Sequence, residues 1–141
     1  MEITRQTDYA IRALVHLAGL APNTRVSTST ISEAEKIPLP FLTKVISHLV
    51  KAGLVVTNRG MGGGVSMARP PDEITLLDII EAVEGPVLLN RCLLREGLCE
   101  MEPECGAHAA WEAIQNRLIA DLRSVNLSQL ADYRKVAKQA K

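Results

Sequence analysis

Every cysteine of the chain lies between Cys92 and His108, in the stretch CLLREGLCEMEPECGAH. The spacing is Cys-x6-Cys-x5-Cys-x2-His, so three thiols and one imidazole fall within seventeen residues. Buried core cysteines do not bunch in this way, and Gly97, Pro103 and Gly106 between them predict irregular backbone able to wrap a metal centre. Structural zinc takes at least one tight Cys-x2-4-Cys pair, and none is present. Wider thiolate spacing suits an iron-sulfur cluster, whose last iron position can be filled by His or another donor. Zinc, a bare regulatory thiol set and inert cysteines are the weaker readings.

The elements that must position this loop follow from the periodicity. A chain of 141 residues that is 47% apolar and only 3% aromatic predicts one domain with an aliphatic, mostly helical core. No basic and apolar leader opens it and no apolar run approaches a membrane span. With an odd cysteine count this predicts a cytoplasmic protein without a disulfide framework. The net charge of zero conceals a division: residues 1–70 carry eight Lys/Arg against four Asp/Glu, and residues 71–141 carry eight against twelve. A basic half can meet phosphate, because counterion release depends on the patch that touches nucleic acid.

Thr4 to Leu20 has helical period, with Ala10, Ala13, Leu14, Leu17 and Ala18 as the apolar stripe. Asp8 and Arg12 stand four apart on another face, where an exposed ion pair is the plain expectation. Ser27 to Lys36 predicts a short helix with Ile31 and Ala34 turned inward. Pro38 and Pro40 suit a turn and the first turn of a third helix, in which Leu42, Val45, Ile46 and Leu49 face inward until Gly53 closes it. Two short helices joined by a tight turn form a helix-turn-helix. The outer face of the second is Thr43, Lys44, Ser47, His48 and Lys51. Two β-branched runs, Leu54 to Thr57 and Val65 to Ala68, flank Arg59-Gly60-Met61-Gly62-Gly63-Gly64, which predicts a hairpin wing. Its glycines let backbone approach phosphate, and Arg59 can enter a minor groove.

Thr75 and Asp78 have capping-box spacing at the start of a fourth helix. After the cysteine loop, Trp111, Ile114, Leu118, Leu122 and Val125 recur at helical intervals, a stripe expected to pair with a second copy. Leu127 to Tyr133 reads as a further short helix, and the polar tail from Arg134 to Lys138 is expected to fray. The fold class is therefore mostly α: a winged helix-turn-helix with a two-stranded wing and a long C-terminal dimerisation helix. Residues 1–85 form the DNA-binding domain, 86–108 the cluster-binding loop, and 109–141 the dimerisation helix and tail. No Ser/His/Asp set, paired carboxylates or cofactor fingerprint points to an enzyme. His16 reads as a packed or half-exposed residue of helix one.

Taken together these motifs resemble the winged-helix iron-sulfur regulators of the IscR, NsrR and RirA type. The resemblance covers nearly the whole chain. It is carried by Gln6-Thr-Asp-Tyr-Ala-Ile-Arg-Ala-Leu14, Ile37-Pro-x-x-Phe-Leu-x-Lys44, Leu49-x-x-Ala-Gly-Leu-Val55, Arg59-Gly-x-Gly-Gly63, and Cys92, Cys99 and Cys105 with His108 and Trp111. It implies a cytoplasmic homodimer, with no membrane association, on a double-stranded DNA operator. It also implies a repressor whose DNA affinity is set by a cluster on the three cysteines, 2Fe-2S preferred to 4Fe-4S. The fourth ligand implied is His108 in IscR-like members, and Asp8 from the other subunit in NsrR-like ones, which are nitric-oxide sensors; His108 is preferred because it adjoins Cys105. IscR-like members have an acid and an amide where Thr43 and Lys44 stand, so their operator does not transfer. Cluster-free relatives that govern cysteine synthesis lack the three-cysteine pattern. DNA contacts are expected from Arg5, Thr43, Lys44, Ser47, His48, Lys51, Arg59, Gly60, Gly62 and Gly63. A different class of reading is a zinc- or thiol-stabilised interaction module, which would be colourless.

Overall fold

The computed structural model describes residues 2–141. Its first helix, α1 (Arg5–Ala18), starts where the Thr4 side chain accepts from the Thr7 N–H. It buries Ala10, Ala13, Leu14 and Leu17 of the stripe read from the sequence, with Ala18 half-buried against the same core. Around that face pack α2 (Thr28–Glu35), α3 (Leu39–Lys51), α4 (Leu76–Glu84) and α6 (Leu127–Gln139). α2 is capped by Ser27, which accepts from the Thr30 N–H at 3.1 Å. It closes on Lys36, whose φ of 53° is left-handed. Pro38 and Pro40 then open α3, which buries Leu42, Val45, Ile46 and Leu49.

The wing is the antiparallel pair β1 (Val55–Asn58) and β2 (Gly64–Met67), in register Val56 with Ser66 and Thr57 with Val65. Val26, just before α2, adds a bridge to Val65 through bonds of 2.7 and 3.0 Å. The base of the wing is thereby tied to the entry of the helix-turn-helix. This closeness explains Gly64. A Cβ there would lie 2.6 Å from the Val26 carbonyl oxygen, on a backbone already at φ 145°.

The Thr75/Asp78 capping box of α4 forms both of its bonds, at 2.9 and 3.1 Å. Aspartate is thus long enough where Glu or Gln is the usual partner. α5 (Gly106–Ser124) follows the cysteine loop and lays Leu118, Ile119 and Leu122 against Leu77, Ile80 and Val87. The middle of the stripe expected to meet a second copy therefore also packs on its own chain. Val125 lies past the helix end in extended backbone, where its carbonyl accepts from the Leu76 N–H at 2.8 Å.

Two expectations are corrected. Ala34 is exposed and Glu35 takes the inner face of α2, because Glu35 stands four residues from buried Ile31 and has cationic partners inside. The segment from Arg134 to Lys138 does not fray but continues α6 to Gln139. An Asn126/Gln129 capping box starts that helix, and Leu127 and Ala131 anchor it in the main core. No helix among the described residues is long and apolar enough to cross a membrane.

Replacing Gly64 by alanine should lower stability by about 2–4 kcal/mol, through positive φ and backbone collision together. Gly60→Ala, at φ 87° with open space around it, should cost only about 1 kcal/mol. Denaturant unfolding of the two variants measures the contrast, and equal losses would refute the close approach of Val26.

Candidate nucleic-acid interface and metal centre

Burying Leu42, Val45, Ile46 and Leu49 turns the opposite side of α3 outward. Thr43, Lys44, Ser47 and Lys51 are exposed there and His48 is half-buried. The Thr43 hydroxyl donates to the Leu39 carbonyl at 2.9 Å, which leaves its oxygen lone pairs and its methyl group for a contact. Arg5 and Arg59 are exposed as well. Among the described residues none of Arg5, Lys44, Lys51 and Arg59 is engaged in an ion pair, so these cations stay free for phosphate. In the wing, Gly60 and Gly62 adopt φ of 87° and 74°. A Cβ on Gly63 would lie 2.8 Å from the Gly60 carbonyl oxygen. Positive φ favours glycine at Gly60 and Gly62, and the close backbone requires it at Gly63.

The cysteine loop is built differently. Its backbone folds into two short 3-10 turns, Arg91–Leu93 and Glu102–Glu104. Gln115 of α5 accepts from the Leu89 N–H at 2.8 Å, and Glu102 accepts from the Gly97 N–H at 2.9 Å. Cys92 and Cys105 are half-buried, Cys99 is exposed, and all three are free thiols. His108 sits in the first turn of α5 with Nε2 3.7 Å from Glu102, and its Nδ1 is buried with no hydrogen-bond partner. An orphaned ring nitrogen of this kind costs about 1–3 kcal/mol, which a ligand would relieve. In kind, the donors fit a thiolate-held metal centre. In position they are not convergent, since no three His, Cys, Asp or Glu side chains among the described residues are gathered to hold one ion.

Asp8 stands apart from these donors in the chain's own fold. Its carboxylate is 63% exposed and lies 3.6 Å from Arg12 Nε, the ion pair expected from the spacing. The helix that carries it is pinned by Glu84, at the end of α4. One Glu84 oxygen accepts from the Thr4 N–H and hydroxyl, each at 2.8 Å, and from the Thr7 hydroxyl. Burial raises the Glu84 carboxyl, but these donors outweigh it and hold the group below its ordinary range.

A second knot has no counterpart in the motifs. Glu35, with its side chain only 4% exposed, receives Arg134 on both oxygens, Nη1 to Oε1 and Nη2 to Oε2 at 2.8 Å each. His16 Nδ1 lies 2.9 Å from the same Oε1, and Arg12 Nη1 donates to the Glu35 carbonyl at 2.8 Å. Burial raises the Glu35 carboxyl, yet the bonds from Arg134 and His16 prevail and hold it below 4.5. The available signal was a lone acid four residues after Ile31 on the inner face of α2. Nothing local marks Arg134 as its partner.

The family model for Rrf2, described as an iron-dependent transcriptional regulator, matches residues 3–133. The chain belongs to the Rrf2 family. Like other Rrf2 proteins it is a DNA-binding transcriptional regulator of winged-helix form. It is 34% identical over 136 residues to the IscR regulator of Photorhabdus laumondii, covering 96% of this chain and 82% of that one. The structure of T. potens IscR superimposes with a TM-score of 0.70 at 29% identity, over 100% of this chain and 91% of that one. CymR, described as the global cysteine regulator of B. subtilis, superimposes with a TM-score of 0.72 at 28% identity, over 94% and 98%. The Rrf2 relatives are regulators rather than enzymes.

Because the Glu35 carboxyl is depressed in the fold, its contribution is fully present above its ordinary value of 4.5 and is lost as pH falls through the lower folded-state value. Glu35→Gln should destabilise the chain by about 1–3 kcal/mol at neutral pH. The gap between wild type and variant should narrow as pH falls below that ordinary value and close through the lower folded-state value. Urea unfolding at several pH values measures it, and a gap of constant size would mean that the carboxylate is not ion-paired.

Proposed function

We propose that the chain regulates transcription as a homodimer, with the free thiols of the loop holding an iron-sulfur cluster that controls operator affinity. The observation that carries this reading is the donor set: three free thiols and a histidine whose buried Nδ1 lacks a partner, in a loop joining the α4 end to the dimer-facing helix. IscR-named relatives and the iron-dependent description of the family support it. Cys92, Cys99 and Cys105 would supply thiolates and His108 the fourth ligand. When bound, a cluster supplies an iron centre whose harder, more weakly held position is open to small oxidants or to loss of iron. A 2Fe-2S form is preferred to 4Fe-4S.

The chain's own residues have assigned tasks. Arg5, Lys44 and Lys51 meet phosphates, which fixes register without reading sequence. Thr43, Ser47 and His48 face base edges. Gly60, Gly62 and Gly63 bring the wing backbone to the duplex, and Arg59 enters the minor groove. A two-fold dimer would set the two α3 helices about 34 Å apart, one helical turn of DNA. Trp111 and Ile114, each 41% exposed, supply the dimer face of α5, with Leu118, Leu122 and Val125 continuing it toward the chain's own core.

A second reading is favoured by Asp8. Its exposure and its loose contact with Arg12 leave it available to a partner's loop, which would make the chain a nitric-oxide sensor of the same family. A regulator of cysteine supply, as the CymR description suggests, is the reading in which the thiols hold no cluster.

Anaerobically purified protein should be brown, and Cys105→Ala should abolish the visible absorption. His108→Ala should shift the spectrum and weaken cluster-dependent operator binding, while Asp8→Ala should leave both unchanged. The opposite pair of results would move the assignment to Asp8 of the partner subunit, and anaerobic wild type that is colourless and carries no iron would sink the cluster altogether. Ile114→Asp, chosen because its side chain does not support the chain's own core, should sediment as monomer by placing an unpaired charge at the seam. A variant that stays dimeric would refute this face.

A further inference from the structure

We propose that Glu35, gripped by Arg134 and His16, is a positioning residue that sets the angle at which α2 and its turn present α3 to DNA, so that the C-terminal helix forms part of the reader. The proposal rests on α3 being the reading helix and is independent of any cluster.

α2 has little apolar anchorage. Of its eight residues only Ile31 and Glu35 are buried, so one aliphatic side chain and one carboxylate fix its inner face. Ile31 resists separation of α2 from the core but does little to resist rotation about its own contact, since apolar packing is non-directional. Glu35 supplies direction. Arg134 reaches it from α6 through two parallel bonds of 2.8 Å, and a bidentate guanidinium fixes orientation as well as distance. His16 from α1 closes on the same carboxylate, while Arg12 holds the main-chain carbonyl of the same residue.

The position matters because Glu35 is the last residue of α2. Lys36 follows at φ 53°, Ser32 Oγ donates to the Ile37 carbonyl at 2.6 Å, and Pro38 immediately precedes α3. The clamp therefore acts at the hinge of the helix-turn-helix. Among the described residues, the only hydrogen bonds that α6 makes to the first three helices are those from Arg134 to Glu35 of α2. A buried ion pair adds little net stability against an apolar pair of equal volume. Its distinct contribution here is geometric, and geometry at this hinge governs base-edge contacts rather than phosphate attraction.

The test compares full-length wild type with Arg134→Met, Arg134→Lys and the double variant Glu35→Met/Arg134→Met. Each is assayed where circular dichroism shows it folded. Two duplexes serve as probes: one selected from a randomised library by the wild-type protein, and one of scrambled sequence. Preference for the selected duplex should fall about tenfold in Arg134→Met and in the double variant, and about threefold in Arg134→Lys. Affinity for the scrambled duplex should change less than about twofold. The double variant separates the roles, because uncharged partners should recover stability while specificity stays low. Undiminished preference in a folded variant overturns the proposal; should Arg134→Met not fold, Arg134→Lys decides. Lys51→Ala is the control. Unchanged affinity for both duplexes there would overturn the reading-helix assignment itself, whereas lowered affinity there with normal preference in the Arg134 variants would overturn the positioning role alone.

Discussion

The buried face of α1 is the constraint on which the rest of the molecule depends. Ala10 and Ala13 are fully buried beside Leu14, and small side chains let neighbouring helices approach closely. α3, α4 and α6 all use this one stripe. The reader, the helix before the cysteine loop and the last helix of the chain are thus placed relative to a common rod. A change in any one of them has to be accommodated on α1 or on the polar contacts at its edges.

Those edges explain which parts of the fold were legible. The α1 stripe, the Pro38/Pro40 entry to α3, the glycines of the wing and the Thr75/Asp78 box all express local rules, in which a residue's own backbone or its neighbour within four positions decides the outcome. Glu35 and Arg134 are ninety-nine residues apart, and neither sequence neighbourhood requires the other. Read locally, Ala34 belongs inside and Arg134 belongs to a polar tail. The distant pairing reverses both, by making a carboxylate the better inner residue of α2 and by giving the end of α6 a reason to stay helical.

The long stripe of α5 is only partly legible for a related reason. Periodicity records that a face is apolar and says nothing of what covers it. Leu118, Ile119 and Leu122 meet Leu77, Ile80 and Val87 of the same chain, whereas Trp111 and Ile114 stay exposed. The cysteine loop shows the converse limit. Its donor types and spacing are plain in the sequence, yet the donors are not gathered to hold one ion among the described residues, since the loop is held by only a few bonds and, Val87 apart, contributes no residue to the buried core. Thiolates repel one another until a cation joins them, so packing alone gives such a loop little reason to gather its thiols.

These two observations limit how a change in the loop can act on DNA. The loop leaves the body at two covalent exits. One is Gly85, next to Glu84, whose carboxylate holds Thr4 and Thr7 at the start of α1. The other is α5, which continues through Val125 into α6 and so to Arg134 and Glu35. Ligation through Asp8 would load the first route, because Asp8 lies in the same first turn of α1 that Glu84 pins. Ligation through His108 would load the second, because His108 opens α5. A ligand shifts a conformational balance only by contacts that differ between the two states. Each route ends on a carboxylate whose bonds are directional, and a directional bond, unlike an aliphatic contact, is made or broken by a small rotation of the helix that bears it.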